Sequence, residues 1–142
     1  MLKTIDPILT GSLLQILRDM GHGNEIVIAD ANFPGHSVGA RLVELPGLDA
    51  VRVLKAILSV FPLDTFVESP AATMAAVHAG HADEMEALFQ QTCDAAEGGA
   101  VSVARVERFA FYERAKAAYA VVQTGEGRPY GNIILTKGVI IS

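Results

Sequence analysis

Glu25-Ile26-Val27-Ile28-Ala29 lies between Gly23-Asn24 and Asp30. One acid is followed by four apolar residues, three of them β-branched, in a run too short for a helix and closed at both ends by turn formers. Such a run reads as a strand buried on both faces, which requires helices above and below the sheet. Upstream, Ser12 with Gln15 offers a capping box for a helix carrying Leu13, Leu14, Ile16 and Leu17, and Gly21 just past Met20 closes it. Downstream, residues 30–39 are turn-rich, with Pro34, Gly35 and Gly39.

Further on, Leu48, Val51, Leu54, Ile57 and Leu58 follow helical spacing, so the pattern predicts a helix over 48–59 that ends before Pro62. Thr65-Phe66-Val67 reads as a strand, and 70–81, Ala-rich and open to either assignment, is taken as another. Residues 83–96 carry Met85, Leu88 and Phe89 among polar residues and close at Gly98-Gly99, a surface helix. The pattern then predicts a strand over 101–106, a helix over 109–118, a strand over 119–123, a turn over 125–129 and a last strand over 132–135. Val139-Ile140-Ile141 near the C-terminus should be buried, in the sheet or against a neighbouring subunit. Strands alternating with helices indicate one layered α/β domain over residues 1–142, with a largely parallel sheet whose ligand sites lie at strand C-termini.

The chain has 142 residues, a formal net charge of −5 and a hydrophobic content of 51%. The acidic balance argues against sequence-independent binding to nucleic acid or an anionic membrane. No apolar stretch approaches the roughly 20 residues of a spanning helix, so the apolar surplus points to a homo-oligomer. A single cysteine, Cys93, in an exposed-looking helix without a flanking histidine, and no leader-like N-terminus fit a cytoplasmic protein.

Two clusters carry chemistry. Gly21-His22-Gly23-Asn24 places an imidazole between glycines, accessible to a ligand and suited to proton transfer near neutrality, although a plain turn histidine reads the same way. Asp30 follows the first strand, as a ligand contact or as a cap, and His36 lies in the loop beyond, where it should bond nearby backbone. Arg108-Phe109-Ala110-Phe111-Tyr112 and Tyr130-Gly131-Asn132 supply a guanidinium, phenols and an amide, groups that bond and stack on a polyhydroxylated ring, although a solvated Arg108 and a Tyr130 that caps its turn read equally well. Phe109 and Phe111 read as core. His22, His36, His78 and His81 make a metal conceivable, and His78-x-x-His81 could share a helix face, but with no HExxH and no Cys/His grid His78 and His81 read as surface residues and no metal is expected. No GxGxxG or GxxxxGK[ST] follows a strand, so no nucleotide cofactor is expected.

Gly21-His22-Gly23-Asn24-Glu25-Ile26, residues 30–37, Arg108-Phe-Ala-Phe-Tyr-Glu-Arg-Ala115 and Tyr130-Gly131-Asn132-Ile133-Ile134-Leu135 together resemble the D-ribose pyranase and L-fucose mutarotase family, from residue 1 to 139. The arginine-bearing segment and the Ala31-Asn32-Phe33-Pro34 loop are similar to the fucose branch. The resemblance implies a three-layer α/β/α domain with a parallel or mixed sheet, assembled into pentameric rings or decamers with sugar sites near subunit boundaries. It implies cofactor-free exchange of the anomers of a monosaccharide, with L-fucose favoured, catalysed by His22. Asp30, Arg108 and Tyr130-Gly131-Asn132 would hold the sugar, and Tyr112 is added here as a hydroxyl contact. The second proton carrier is left open among Asp30, a phenol and water. D-ribose pyranase-type activity and a non-catalytic sugar-binding module are the alternatives. Asn24 stands where many relatives carry an aspartate that could orient the histidine, and Tyr119 stands where an apolar aromatic is common. An apolar patch for the fucose methyl is expected near Phe33 or Phe111.

Overall fold

The computed structural model describes residues 1–78 and 80–142. In chain order the elements are α1 (Gly11–Asp19), β1 (Glu25–Ala29), α2 (Gly35–Val38), β2 (Leu42–Leu45), α3 (Ala50–Leu58), β3 (Ala71–Met74), α4 (Asp83–Glu97), β4 (Val103–Val106), α5 (Arg108–Ala117), β5 (Ala120–Thr124) and β6 (Ile133–Thr136). The six strands form one sheet in the order β2-β5-β1-β6-β3-β4. Only β6 runs against the others, pairing antiparallel with both β1 and β3. The sheet is therefore mixed, with β1 near its centre between β5 and β6.

Alternation along β1 divides the core. Ile26 and Ile28 pack with Leu13, Leu17, Leu54, Ile57, Phe89 and Cys93 from α1, α3 and α4. Val27 and Ala29 face the other way, onto Phe33, Phe111 and Ala115. Burial on both faces explains the continuous apolar run, and the result is the expected three-layer α/β/α arrangement. Among the described residues no helix is long and apolar enough to cross a membrane.

Several expectations are corrected. Thr10, not Ser12, caps α1, its Oγ1 accepting from the Leu13 N–H. Residues 65–67 form bends instead of a strand, because Asp64 turns the chain by accepting from the Phe66 N–H and leaves Phe66 67% exposed. The stretch 70–81 is a strand only over Ala71–Met74, and residue 79 lies outside the described residues. β2 has no counterpart in the sequence reading; it is a four-residue edge strand bonded to β5 alone. Cys93 is buried against the sheet, and that burial pushes its thiol up to about 12. Phe111 is core, whereas Phe109 is 66% exposed at the start of α5. Val139, Ile140 and Ile141 are exposed, so their burial in the sheet is not realised.

Candidate functional site

The C-terminal edge of the parallel strands collects most of the candidate residues. Asp30 leaves β1 beside Asn132, which leads into β6. The Asp30 N–H donates to Asn132 Oδ1 at 2.8 Å, and Asn132 Nδ2 donates back to Asp30 Oδ2 at 3.0 Å. Asp30 Oδ1 accepts from the Asn32 N–H at 2.9 Å, so the carboxyl caps its own turn and holds Asn132 at once. Both residues are buried, and that burial raises Asp30 above the usual carboxylate range despite these neutral donors.

Tyr130 takes a left-handed backbone conformation, φ 59°, and its hydroxyl accepts from the Val77 N–H at 3.2 Å. Gly131 permits the close approach that follows: a Cβ there would stand 2.7 Å from Glu126 Cγ and 3.3 Å from Asp30 Cβ. Tyr112 packs edge-on to Phe33, ring centroids 5.5 Å apart, and the Arg108 guanidinium lies over the rings of Phe109 and Tyr112. Phe33 is tied to Asp30 through its own N–H, which donates to the Asp30 carbonyl at 3.2 Å. Thus Asp30, Arg108, Tyr112, Tyr130, Gly131 and Asn132 share one edge, offering hydroxyl donors and acceptors beside aromatic faces.

Glu126 holds this edge and was not singled out by its local sequence. It is buried, accepts from the Ala50 N–H at the start of α3, and forms an ion pair with Arg128, which also reaches Glu84 of α4. The Arg128 guanidinium holds the Glu126 carboxyl below its ordinary range. The loop before Tyr130 is thereby fixed to the N-termini of two helices.

His22 lies elsewhere. It precedes β1, whereas Asp30 follows it, and the five residues of β1 separate the two by roughly 15–20 Å at about 3.3 Å per residue. One chain does not bring His22 to the other candidates. Its Nε2 lies 3.1 Å from Asp64 Oδ1, and Phe66 meets the ring edge-on with centroids 5.2 Å apart. Asn24 does not orient it: the Asn24 Oδ1 accepts from the Gly21 N–H and closes the turn. Asp64 is 42 residues away in sequence, and the local pattern gave no sign of it.

The remaining candidates fall outside both places. His36 bonds Glu44 Oε1 on the surface instead of backbone, and His78 and His81 are exposed and edge-on to each other. Tyr119 lies at the N-terminal edge beneath the Arg41 guanidinium, 3.9 Å from its ring centroid, at the opposite end of the sheet from Asp30 of the same chain. Phe111 is wholly buried under Phe33, so replacing it by Ser would open the core without changing a pocket wall.

Comparison with known proteins gives a consistent set. The model of the RbsD / FucU transport protein family matches residues 3–140. The L-fucose mutarotase of Glaesserella parasuis serovar 5 (strain SH0165) is 49% identical over 140 residues, 98% of this chain and 96% of that protein. The crystal structure of the fucose mutarotase in complex with L-fucose from Streptococcus pneumoniae superposes with a TM-score of 0.93 at 38% identity, covering 99% of this chain and 100% of that one. Bacillus subtilis RbsD complexed with D-ribose superposes with a TM-score of 0.79 at 27% identity, covering 99% of this chain and all of that one.

Proposed function

The chain belongs to the RbsD / FucU transport protein family, and on that premise we propose that it is an L-fucose mutarotase, a cofactor-free isomerase exchanging α and β anomers. The observation that carries this reading is the full-length likeness to a fucose mutarotase holding L-fucose, joined to a buried Asp30–Asn132 pair at the strand C-termini.

Anomer exchange takes the proton from the anomeric hydroxyl, delivers one to the ring oxygen, and breaks the bond between that oxygen and the anomeric carbon. The open aldehyde rotates and the steps reverse on its other face, so no proton or electron is consumed. His22 exchanges one proton, and Asp30, whose burial favours its protonated form, is suited to exchange the other. Asn132, Tyr130, Gly131, Tyr112 and Arg108 orient the sugar hydroxyls. Such a site rejects sugars whose hydroxyls leave its buried polar groups unpaired.

His22 enters this scheme from a second copy of the chain. It shares the N-terminal edge with exposed Phe66, Val67, Ile140 and Ile141, while Val77 and Phe109 are exposed at the opposite edge. Two different apolar surfaces at opposite ends make a head-to-tail contact, which closes into a ring when the rotation permits. A cytoplasmic homo-oligomer, a pentameric ring or two stacked as a decamer, accommodates both the composite site and the apolar surplus.

Proton NMR saturation transfer between L-fucose anomers, with and without trace protein, tests the reading. Exchange should exceed the spontaneous rate, and H22A should lose most of it, about 10²–10⁴-fold. An unchanged H22A rate would overturn the assignment of His22. D-Ribose measured alongside decides specificity, and binding without exchange for either sugar would favour a sugar-binding module.

A further inference from the structure

We propose that Asp64 is the positioning residue of the reaction: it holds the Nε2–H of His22 and so presents Nδ1 as the nitrogen that exchanges protons with the sugar. The inference rests on the mutarotase reading and adds to it a residue and an atom.

The geometry around Asp64 is built for one task. Residues 62–64 lie against the exit of β6, where the Asp64 N–H donates to the Thr136 carbonyl and the Gly138 N–H to that of Pro62. A Cβ on Gly138 would meet the Leu63 carbonyl oxygen at 2.5 Å and Asp64 Cα at 2.7 Å, so the approach requires glycine. The carboxylate is 3% exposed, while the His22 side chain is 41% exposed. Asp64 Oδ1 accepts from the Phe66 N–H at 3.0 Å and faces His22 Nε2 at 3.1 Å. On the other side of the dyad, Gly23, with φ 83°, turns the chain, and its N–H donates to the Lys137 carbonyl. Both partners are thus anchored to the same end of β6.

An ionised carboxylate accepts and does not donate, so the nitrogen facing it carries the hydrogen. The Phe66 N–H, followed by His22, keeps Asp64 below the usual carboxylate range, and it is ionised near neutrality. Neutral His22 then has its lone pair on Nδ1, which makes no hydrogen bond among the described residues. When Nδ1 takes the anomeric proton, the imidazolium forms beside a negative charge. When it returns that proton, the starting tautomer is restored without ring rotation, because Nε2–H is held and Phe66 sits against the ring.

The other ionisable groups on surrounding elements do not supply this contact. Arg18 and Asp19 are exposed at the end of α1, and Glu68 is exposed beyond Phe66. Glu25 pairs with Arg114, and Lys137 Nζ donates to the Leu17 and Met20 carbonyls.

The experiment compares wild type and D64N with L-fucose across pH, together with ¹⁵N NMR of the His22 ring in the wild-type oligomer. D64N keeps the shape and an acceptor for the Phe66 N–H but removes the charge. The anomer-exchange rate constant at saturating sugar should fall about 10–10³-fold with KM little changed. The acid limb of its pH profile should move to lower pH, because the imidazolium loses its counter-charge. A residue that merely supports the turn would lower activity without moving that limb. The wild-type ring should show hydrogen on Nε2 and a bare Nδ1. Hydrogen on Nδ1, or a D64N rate and profile equal to wild type, overturns the proposal. Should D64N fail to fold, the wild-type tautomer decides alone. A wild-type protein that does not accelerate L-fucose exchange instead defeats the mutarotase reading, a separate outcome.

Discussion

Asp30 and Asp64 are both buried aspartates, placed at opposite ends of one sheet, and their surroundings push them in opposite directions. Asp30 meets backbone N–H groups and the Asn132 amide, and its burial outweighs them and favours the neutral acid. Asp64 has backbone donors and an imidazole, and these outweigh burial and keep it charged. One edge therefore holds a carboxyl eased toward protonation among the groups proposed to bind the sugar, and the other holds a carboxylate bonded to a histidine. On the proposed reading neither edge alone is a complete acid/base site, and the proposed oligomer brings the edges of two copies together.

The largest effect expected from breaking that comparison is complementation. H22A removes the imidazole from one edge and D30N the carboxyl from the other, and each variant alone should lose most of the anomer exchange. Unfolded together and refolded as a mixture, they should regain roughly a quarter of the wild-type rate, because a quarter of random pairings join an intact His22 to an intact Asp30. A mixture as inactive as its components would place both groups in a site within one chain, against the separation imposed by β1. A smaller effect follows from G131A. The added Cβ, 2.7 Å from Glu126 Cγ, must displace the Tyr130–Asn132 segment from its anchored position. Exchange should drop about 10–10²-fold, since misplacement on the ångström scale costs that much. A G131A rate equal to wild type would show that the Glu126 anchor is irrelevant to the sugar.

Legibility in the sequence followed locality. β1, α4 with its Gly98 stop and α5 were readable because spacing and terminators lie within the element itself. β2 was not, because an edge strand of four residues with one buried side chain has too little pattern to register. Thr65-Phe66-Val67 has strand composition, but Asp64 bends the chain there and leaves Phe66 exposed against His22. The candidate site divides the same way. Asp30 and Asn132 stand at strand ends that the pattern marked, whereas Asp64 and Glu126 gain their roles from contacts 42 and 76 residues distant. The resemblance named His22 together with Asp30, although the strand read between them already sets them at opposite ends of β1, and the fold keeps them there.

The smallest effect is on stability, and its sign distinguishes the two aspartates. A carboxyl whose folded value is raised contributes stability that is full below its unfolded value, about 3.9, and is lost as pH rises through the folded value. Asp30 is in this class, so D30N should gain on wild type in Tm as pH rises from about 3 to about 5.5. A carboxyl whose folded value is lowered contributes stability that is present above about 3.9 and is lost as pH falls through the folded value. Asp64 is in this class, so the Tm cost of D64N should be greatest at the upper end of that range and shrink toward the lower. Melting curves of the three proteins at one fixed concentration read the sign of both slopes. Slopes of the same sign would mean that the two edges do not differ in the way their donors imply. Opposite slopes would tie the acid and the carboxylate to the separate roles that anomer exchange assigns them.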